Sequence, residues 1–259
     1  MSSLAIIIPA HNEERRIEKT INSYITYFDN LIKYGEINIV DFIIVLNACS
    51  DRTKEIVIRY KQKNIKILEF ERGGKGFAVI EGFKHAMKDD YDYIGFVDAD
   101  MSTTPQEFYR LILKIGDSDG VIASRYIKGA KLTPKNTLPR IIASRLYNFF
   151  IRSVLLIPYR DTQCGAKIFK RETIKKVVNK IGMTSWAFDI EMLYLLHKSG
   201  QKIVEVPTVW SNKDYSKINF WASGPWMALA VIRLRILKSP LKIMVRVYDR
   251  FIRIFKPAK

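Results

Sequence analysis

Short apolar runs alternate with longer amphipathic stretches along the first half of the chain. Residues 4–9, 41–46, 65–70, 93–97 and 120–123 are brief runs dominated by Ile, Val, Leu and Phe, the length and composition of strands. Between them, helical periodicity covers residues 13–33, 53–63, 76–87 and 105–115, the last opening on Pro105. Strands that alternate with helices in this way predict an α/β fold, a mainly parallel sheet covered on both faces. In such sheets, ligands collect beyond the carboxyl ends of the strands. The polar clusters HNEE, NACSD, ERGGKG and DADMS each follow an apolar run, so all four are expected along one rim.

The second half is less regular. Helices are predicted over 140–155 and 188–197, and strands over 165–169 and 202–209. From Trp226 the pattern changes again: the remaining chain carries nine basic residues and one acid, Asp249. After Pro240, Lys242, Arg246, Arg250, Arg253 and Lys256 recur every three or four positions and form one positive stripe. Ile243, Met244, Val247, Phe251, Ile254 and Phe255 fill much of the rest. A basic amphipathic helix with aromatic residues suits an anionic membrane surface, where each basic side chain contributes about 1 kcal/mol. A solvated helix packed on the same domain is the alternative.

Composition adds one strong constraint. The 259 residues suit one large domain or a domain with an appendage, and 48% hydrophobic with 27% charged residues argues against disorder. The net charge of +17 points to a polyanionic partner: nucleic acid, an anionic membrane or a phosphorylated substrate. No helix-turn-helix, zinc or RNA-recognition pattern accompanies that charge, so nucleic acid is not the expected partner. Cys49 and Cys164 make no disulfide framework, and a reducing compartment is expected. The start of the chain lacks the pattern of a signal peptide, and no apolar run reads as a spanning helix.

The chemistry centres on YIGFVDAD. Asp98 and Asp100 lie two apart at a strand end, an arrangement that projects both to one side. Two like charges there call for a positive counterpart. A hard divalent cation with open positions for a diphosphate is one answer; exposed rim acids or helix N-caps are the other, since DADMSTTP precedes a helix.

The first four turns decide between them. They read PAHNEE (from Pro9), NACSDRT (from Asn47), ERGGKG (from Glu71) and DAD. This succession resembles the family 2 glycosyltransferases, in which a PxYNE-like turn, a DDxSxDxT-like turn, a glycine–lysine helix start and a DxD follow one another. The resemblance implies a GT-A fold and a metal-dependent glycosyltransferase. It places Pro9, Ala10, Glu13, Asn47, Asp51, Gly74, Lys75 and Asp98 around a nucleotide-sugar. Asp98, Asp100 and Ser102 become candidate ligands for Mg²⁺ or Mn²⁺, with Ser102 where many relatives carry Gln. Leu46 and Asn47 replace the first acids of the second turn, and an Asn amide can still hydrogen-bond a base edge.

The later motifs narrow the family. Arg125 follows the fifth strand, Arg140, Ser144 and Asn148 share a helix face, and DTQCGAK runs from Asp161 to Lys167. These resemble the polyprenyl-phosphate sugar synthases, the dolichyl-phosphate mannose and glucose enzymes, with DTQCGAK nearer the glucose branch. Ser216-Lys217 resembles a GSK-like element. The resemblance implies inverting transfer of a hexose from UDP-glucose or GDP-mannose to a polyprenyl (dolichyl) phosphate, on the cytoplasmic side of a membrane by a peripheral protein. It assigns the acceptor phosphate to Arg125, Arg140, Ser144, Lys167 and Lys217, and makes Asp100, Arg125, Arg140 and Asp189 catalytic. A guanidinium suits a phosphate because it binds in bidentate fashion. A same-fold transferase acting on a saccharide hydroxyl is the rival; there Asp189 would serve as base. The expected division is a catalytic domain over 1–222 and basic amphipathic interface helices over 223–259.

Overall fold

In β1 (Ser3–Ala10), Leu4, Ile6 and Ile8 pack against one side of the sheet and Ala5 and Ile7 against the other, all buried. A strand covered on both faces must be apolar throughout, which is why this stretch shows no alternation. The computed structural model describes residues 2–60, 64–134, 137–182, 187–211, 220–240 and 245. After β1 come α1 (Ile17–Lys33), β2 (Ile39–Asn47), α2 (Thr53–Ile58), β3 (Ile65–Phe70), α3 (Lys75–Ala86), β4 (Tyr93–Val97) and α4 (Pro105–Leu113). Then follow β5 (Gly120–Ser124), β6 (Lys131–Thr133), α5 (Leu138–Leu155), β7 (Ala166–Lys170) and α6 (Arg171–Val177). The last are α7 (Phe188–Lys198), β8 (Ile203–Pro207), β9 (Val209–Ser211) and α8 (Phe220–Leu237).

The main sheet has seven strands in the order β3-β2-β1-β4-β7-β5-β8. β3, β2, β1 and β4 are mutually parallel, and β8 runs parallel to β5. β7 runs antiparallel to both its neighbours, β4 and β5. That single reversal matters for the site: the start of β7, rather than its end, meets the carboxyl end of β4, with Ala166 opposite Val97. One face is covered by α1 and α4 through Tyr24, Phe28 and Phe108. The other is covered by α3, α5 and α7 through Phe83, Tyr147, Ile151 and Phe188. α3 comes so close to β1 that a Cβ on Gly82 would lie 2.5 Å from the Ile7 side chain.

Several elements differ from the periodicity. The helix expected from residue 13 starts at Ile17, because the Glu13 carbonyl accepts from the N–H groups of Arg16 and Ile17 in a preceding turn. The strand expected over 202–209 is two strands: it breaks at Thr208, and β9 leaves the main sheet to pair with β6. The expected boundary at residue 222 falls inside α8, whose Val231 and Leu234 are buried. The end of α8 is tied down: Lys238 Nζ lies 3.1 Å from Glu191, a nearly buried acid that also accepts from the Gly182 N–H at 2.9 Å. The basic stripe after Pro240, Ser216, Lys217 and the side chains of Arg140, Trp221 and Trp226 lie outside the described residues.

Candidate active site

The first two turns are stapled together. Pro9 and Ala10 end β1, both buried, and Ala10 pairs with Leu46 of β2. Beyond them the Asn12 side chain accepts from the Ser50 N–H at 2.8 Å. The Glu13 N–H donates to Thr53 Oγ1 at 2.7 Å, and the Glu14 N–H to Asp51 at 3.1 Å. Asp51 also accepts from the Thr53 N–H and hydroxyl at 3.0 and 2.5 Å. Burial pushes its pKa up, but these donors outweigh burial and hold it below the usual value. Asn47 is nearly buried. With the amide oriented so that both of its ends are satisfied, its nitrogen donates to the Ala10 carbonyl at 2.7 Å and its oxygen accepts from the Gly74 N–H at 3.1 Å. Both Asn47 and Asp51 thus spend polar atoms on the protein, and these bonds fix the path of the backbone at the rim.

Asp98 and Asp100 lie on the turn beyond β4 rather than on the strand itself. α1 holds that turn: Thr20 Oγ1 donates to the Ala99 carbonyl at 2.7 Å, and the Tyr24 hydroxyl to the Thr103 carbonyl at 3.0 Å. Thr20 and Tyr24 are one helical turn apart and so share a face. Asp100 Oδ1 accepts from the Ser102 N–H at 2.9 Å, and Ser102 is itself buried. The Asp98 N–H donates to the Gly165 carbonyl at 3.0 Å, so the antiparallel β7 delivers the DTQCG loop directly against the acidic turn. A Cβ on Gly165 would lie 1.8 Å from the Asp98 carboxylate, so only glycine leaves room for it.

The positive charges are placed by neighbouring elements. Gly74, at φ 120°, caps α3, and Lys75 is the first residue of that helix. Lys75 Nζ lies 2.6 Å from Asp98 Oδ1 and 3.8 Å from Asp189 Oδ2. Burial opposes the Lys75 charge, but Asp98 and Asp189 outweigh it and raise its pKa. Burial, opposed by Lys75 and reinforced by Asp100, raises that of Asp98. Lys167 points inward from β7 and is fully buried; its Nζ donates to Asp189 and to the Cys164 carbonyl, each at 2.6 Å. The guanidinium of Arg125 forks onto the fully buried Asp161, at 2.8 Å through Nε and 2.9 Å through Nη2. It also lies over the Trp210 ring at 5.1 Å. Glu205 accepts from the N–H groups of Arg160 and Asp161, and the Asn148 amide oxygen from the N–H and the hydroxyl of Thr162.

The loop from Asp161 to Gly165 therefore joins two poles, Arg125 at one end and Asp98 at the other. Arg125, Asp98, Asp100, Lys75, Asp189 and Lys167 are brought together around it. Ser144 sits on α5 and donates to the Ile141 carbonyl at 3.0 Å; Arg140 lies on the same helix. Lys167 occupies the interior and grips Asp189, a place from which it positions that acid rather than meeting a ligand at the surface. Among the described residues no three His, Cys, Asp or Glu side chains form a metal-binding group. Two carboxylates nonetheless fit Mg²⁺ or Mn²⁺, because such ions complete their shell with water and substrate phosphate oxygens. The partners Asp161 and Trp210, and the space at Gly165, escaped the sequence reading. The reversal of β7 brings Asp161 and Gly165 to the rim, and an isolated strand carries no signal of its direction; Trp210 comes from β9, which pairs with β6.

The chain is similar to known proteins in sequence and in fold. The family described as Glycosyl transferase family 2 matches residues 5–178. A dolichyl-phosphate beta-glucosyltransferase of Dictyostelium discoideum is 30% identical over 90% of this chain and 73% of its own length. One from Drosophila melanogaster is 28% identical over 85% and 70%. The crystal structure of glucosyl-3-phosphoglycerate synthase from Mycobacterium tuberculosis with Mn²⁺, UDP and phosphoglyceric acid superimposes with a TM-score of 0.64. It has 16% identity and covers 91% of this chain and 78% of that one, a likeness of fold.

Proposed function

We propose that this chain, which belongs to glycosyl transferase family 2, transfers a hexose from a nucleotide-sugar to a polyprenyl phosphate of the dolichyl type at a membrane surface. The relatives described as dolichyl-phosphate beta-glucosyltransferases favour glucose, and hence UDP-glucose over GDP-mannose. The observation that carries the reading is the Asp161–Gly165 loop, which sets the Arg125 fork beside the acidic turn. An anion-binding pole and a cation-binding pole then adjoin, as a phosphate acceptor and a diphosphate donor require.

The reaction needs little proton transfer. The second pKa of a phosphate monoester is about 6, so the acceptor oxygen is already anionic near neutral pH. That oxygen attacks the anomeric carbon, the bond from carbon to the diphosphate oxygen breaks, and the nucleoside diphosphate leaves with the electron pair. One displacement inverts the anomeric centre. Asp98 and Asp100 would hold a divalent ion, which would supply charge neutralisation for the diphosphate. Asp161 uses two of the five N–H donors of Arg125, which leaves others for an acceptor phosphate. Arg140 and Ser144, on α5, are the companion candidates. Asp189 does not suit a general base: Lys167 grips one oxygen at 2.6 Å and Lys75 stands 3.8 Å from the other. That geometry favours a phosphate nucleophile over a saccharide hydroxyl.

Membrane contact has support in α5 beyond the basic tail. Leu138, Ile142, Leu146 and Phe149 are each half or more exposed and recur every three or four residues. The helix carries Arg140, Arg145 and Arg152 and no acid. An apolar stripe with only positive charges on its helix matches an anionic bilayer surface. Among the described residues no helix is long and apolar enough to cross a membrane.

The test is transfer by the purified chain from labelled UDP- and GDP-sugars to polyprenyl phosphate, with and without EDTA. EDTA is expected to stop transfer, and Asp100→Asn to reduce it to background. Undiminished turnover in either case would remove the metal from the reading.

A further inference from the structure

Lys75 stands where a cation would approach Asp98. Its ammonium lies 2.6 Å from Asp98 and 3.8 Å from Asp189, and 5.6 Å from the centre of the Phe96 ring. Yet it is the first residue of α3, where the helix dipole disfavours positive charge and favours an anion. The two carboxylates hold it against that field. The side chains of Lys75 and Asp98 are each 27% exposed, so rotation about the four-carbon stem can carry the ammonium away without opening the core. Asp189 is fixed from its other side by Lys167 and stays in place when Lys75 moves.

Charge decides when that movement is favourable. Asp98, Asp100 and Asp189 face Lys75 and Lys167, which leaves the cluster one negative charge. A divalent cation arriving alone would reverse that sign and compete with an ammonium already hydrogen-bonded to Asp98. A diphosphate arriving with the cation restores the balance, and gives Lys75 a second anion near the start of α3.

We propose that Lys75 is the resident counter-cation of Asp98 and passes to the donor diphosphate when the donor binds, so that metal and nucleotide bind tightly only together. The inference rests on the metal reading of Asp98 and Asp100. Lys75 then has two tasks: it keeps the free enzyme's acidic turn neutralised, and it makes Asp98 available in response to the diphosphate. Because coupling between two ligands is reciprocal, each must raise the affinity of the other by the same factor.

Paramagnetic resonance of free Mn²⁺ measures this without turnover, using the full chain, Lys75→Met and Lys75→Arg, each with and without UDP. The wild type is expected to bind Mn²⁺ weakly alone and about tenfold or more tightly in saturating UDP. Lys75→Met should bind Mn²⁺ about tenfold tighter than the wild type without UDP, and UDP should then raise that affinity by a smaller factor than in the wild type, the part that remains coming from diphosphate oxygens on the metal. Lys75→Arg keeps the charge and should keep the weak binding of the wild type. If Lys75→Met gains no Mn²⁺ affinity, or Lys75→Arg gains as much, the counter-cation role is wrong while the metal site stands. If the wild type binds no Mn²⁺ even with UDP, the metal reading and the inference fall together.

Discussion

Asp161 gives its whole carboxylate to Arg125 and is itself fully buried. Removing its charge while leaving the guanidinium in place strands a partly buried cation, a change that costs about 3–5 kcal/mol. Asp161→Asn is therefore expected to lower Tm by about 6–20 °C in thermal melts. The pH dependence follows from the sign of the shift. Burial pushes the Asp161 pKa up, but Arg125 outweighs it, and the folded value lies below the usual one. A depressed carboxylate contributes stability above its unfolded pKa of about 3.9 and loses that contribution as pH falls through its folded value. The deficit of the variant should stay constant from about pH 5 to 8 and shrink only in more acidic solution; a deficit that vanishes near neutrality would contradict the buried pair. Burial, with Asp161 nearby, pushes the Cys164 thiol up to about 12. A thiol reagent at about pH 8 should modify at most Cys49 in the folded chain and reach Cys164 only on unfolding; rapid modification of both would overturn that placement. At this scale the sequence exposes residue types and their order, but not their partners. Asp98, Asp100 and the glycine–lysine helix start stand out because such charges rarely end apolar runs. Lys167 reads as a phosphate ligand in the sequence, since nothing local reveals that its strand is buried and that Asp189 waits inside.

The elements of the first half were legible because parallel strands buried on both faces are continuous apolar runs, and their helices have a clear polar side. β3 and β4 match the reading residue for residue. The second half was harder for a physical reason. β7 is short, central and antiparallel, so neither its neighbours nor its direction follows from its composition. The 202–209 run looks continuous because both of its halves are strands, although they belong to different sheets. The apolar stripe of α5 was hidden for another reason. Leucine and phenylalanine at helical spacing signal a buried face, and only the fold shows which face remains open. A double variant, Leu146→Glu with Phe149→Glu, tests its role. Burial of each side chain is worth about 1.5–3 kcal/mol, so the variant should sediment with anionic liposomes at least about tenfold less, with UDP binding unchanged. Undiminished sedimentation would assign membrane contact elsewhere.

Across the whole molecule, the chain carries a net charge of +17, and its rim carries a compact group of acids. Long-range attraction brings polyanions to the surface. On the proposed reading, Asp98, Asp100 and Asp189 would define where a cation and its diphosphate belong, and Arg125 the adjoining place for a second phosphate. Donor and acceptor repel each other in water, and this distribution of charge would let them meet. The most direct measurement is the structure of the product, by nuclear magnetic resonance, after incubation of the chain with UDP-glucose, Mg²⁺ and polyprenyl phosphate in anionic liposomes. The account predicts a glucosyl phosphate lipid in which the sugar carbon is joined to the acceptor phosphate oxygen with the β configuration. A product with retained configuration, or transfer to a saccharide hydroxyl with the lipid phosphate untouched, would contradict it.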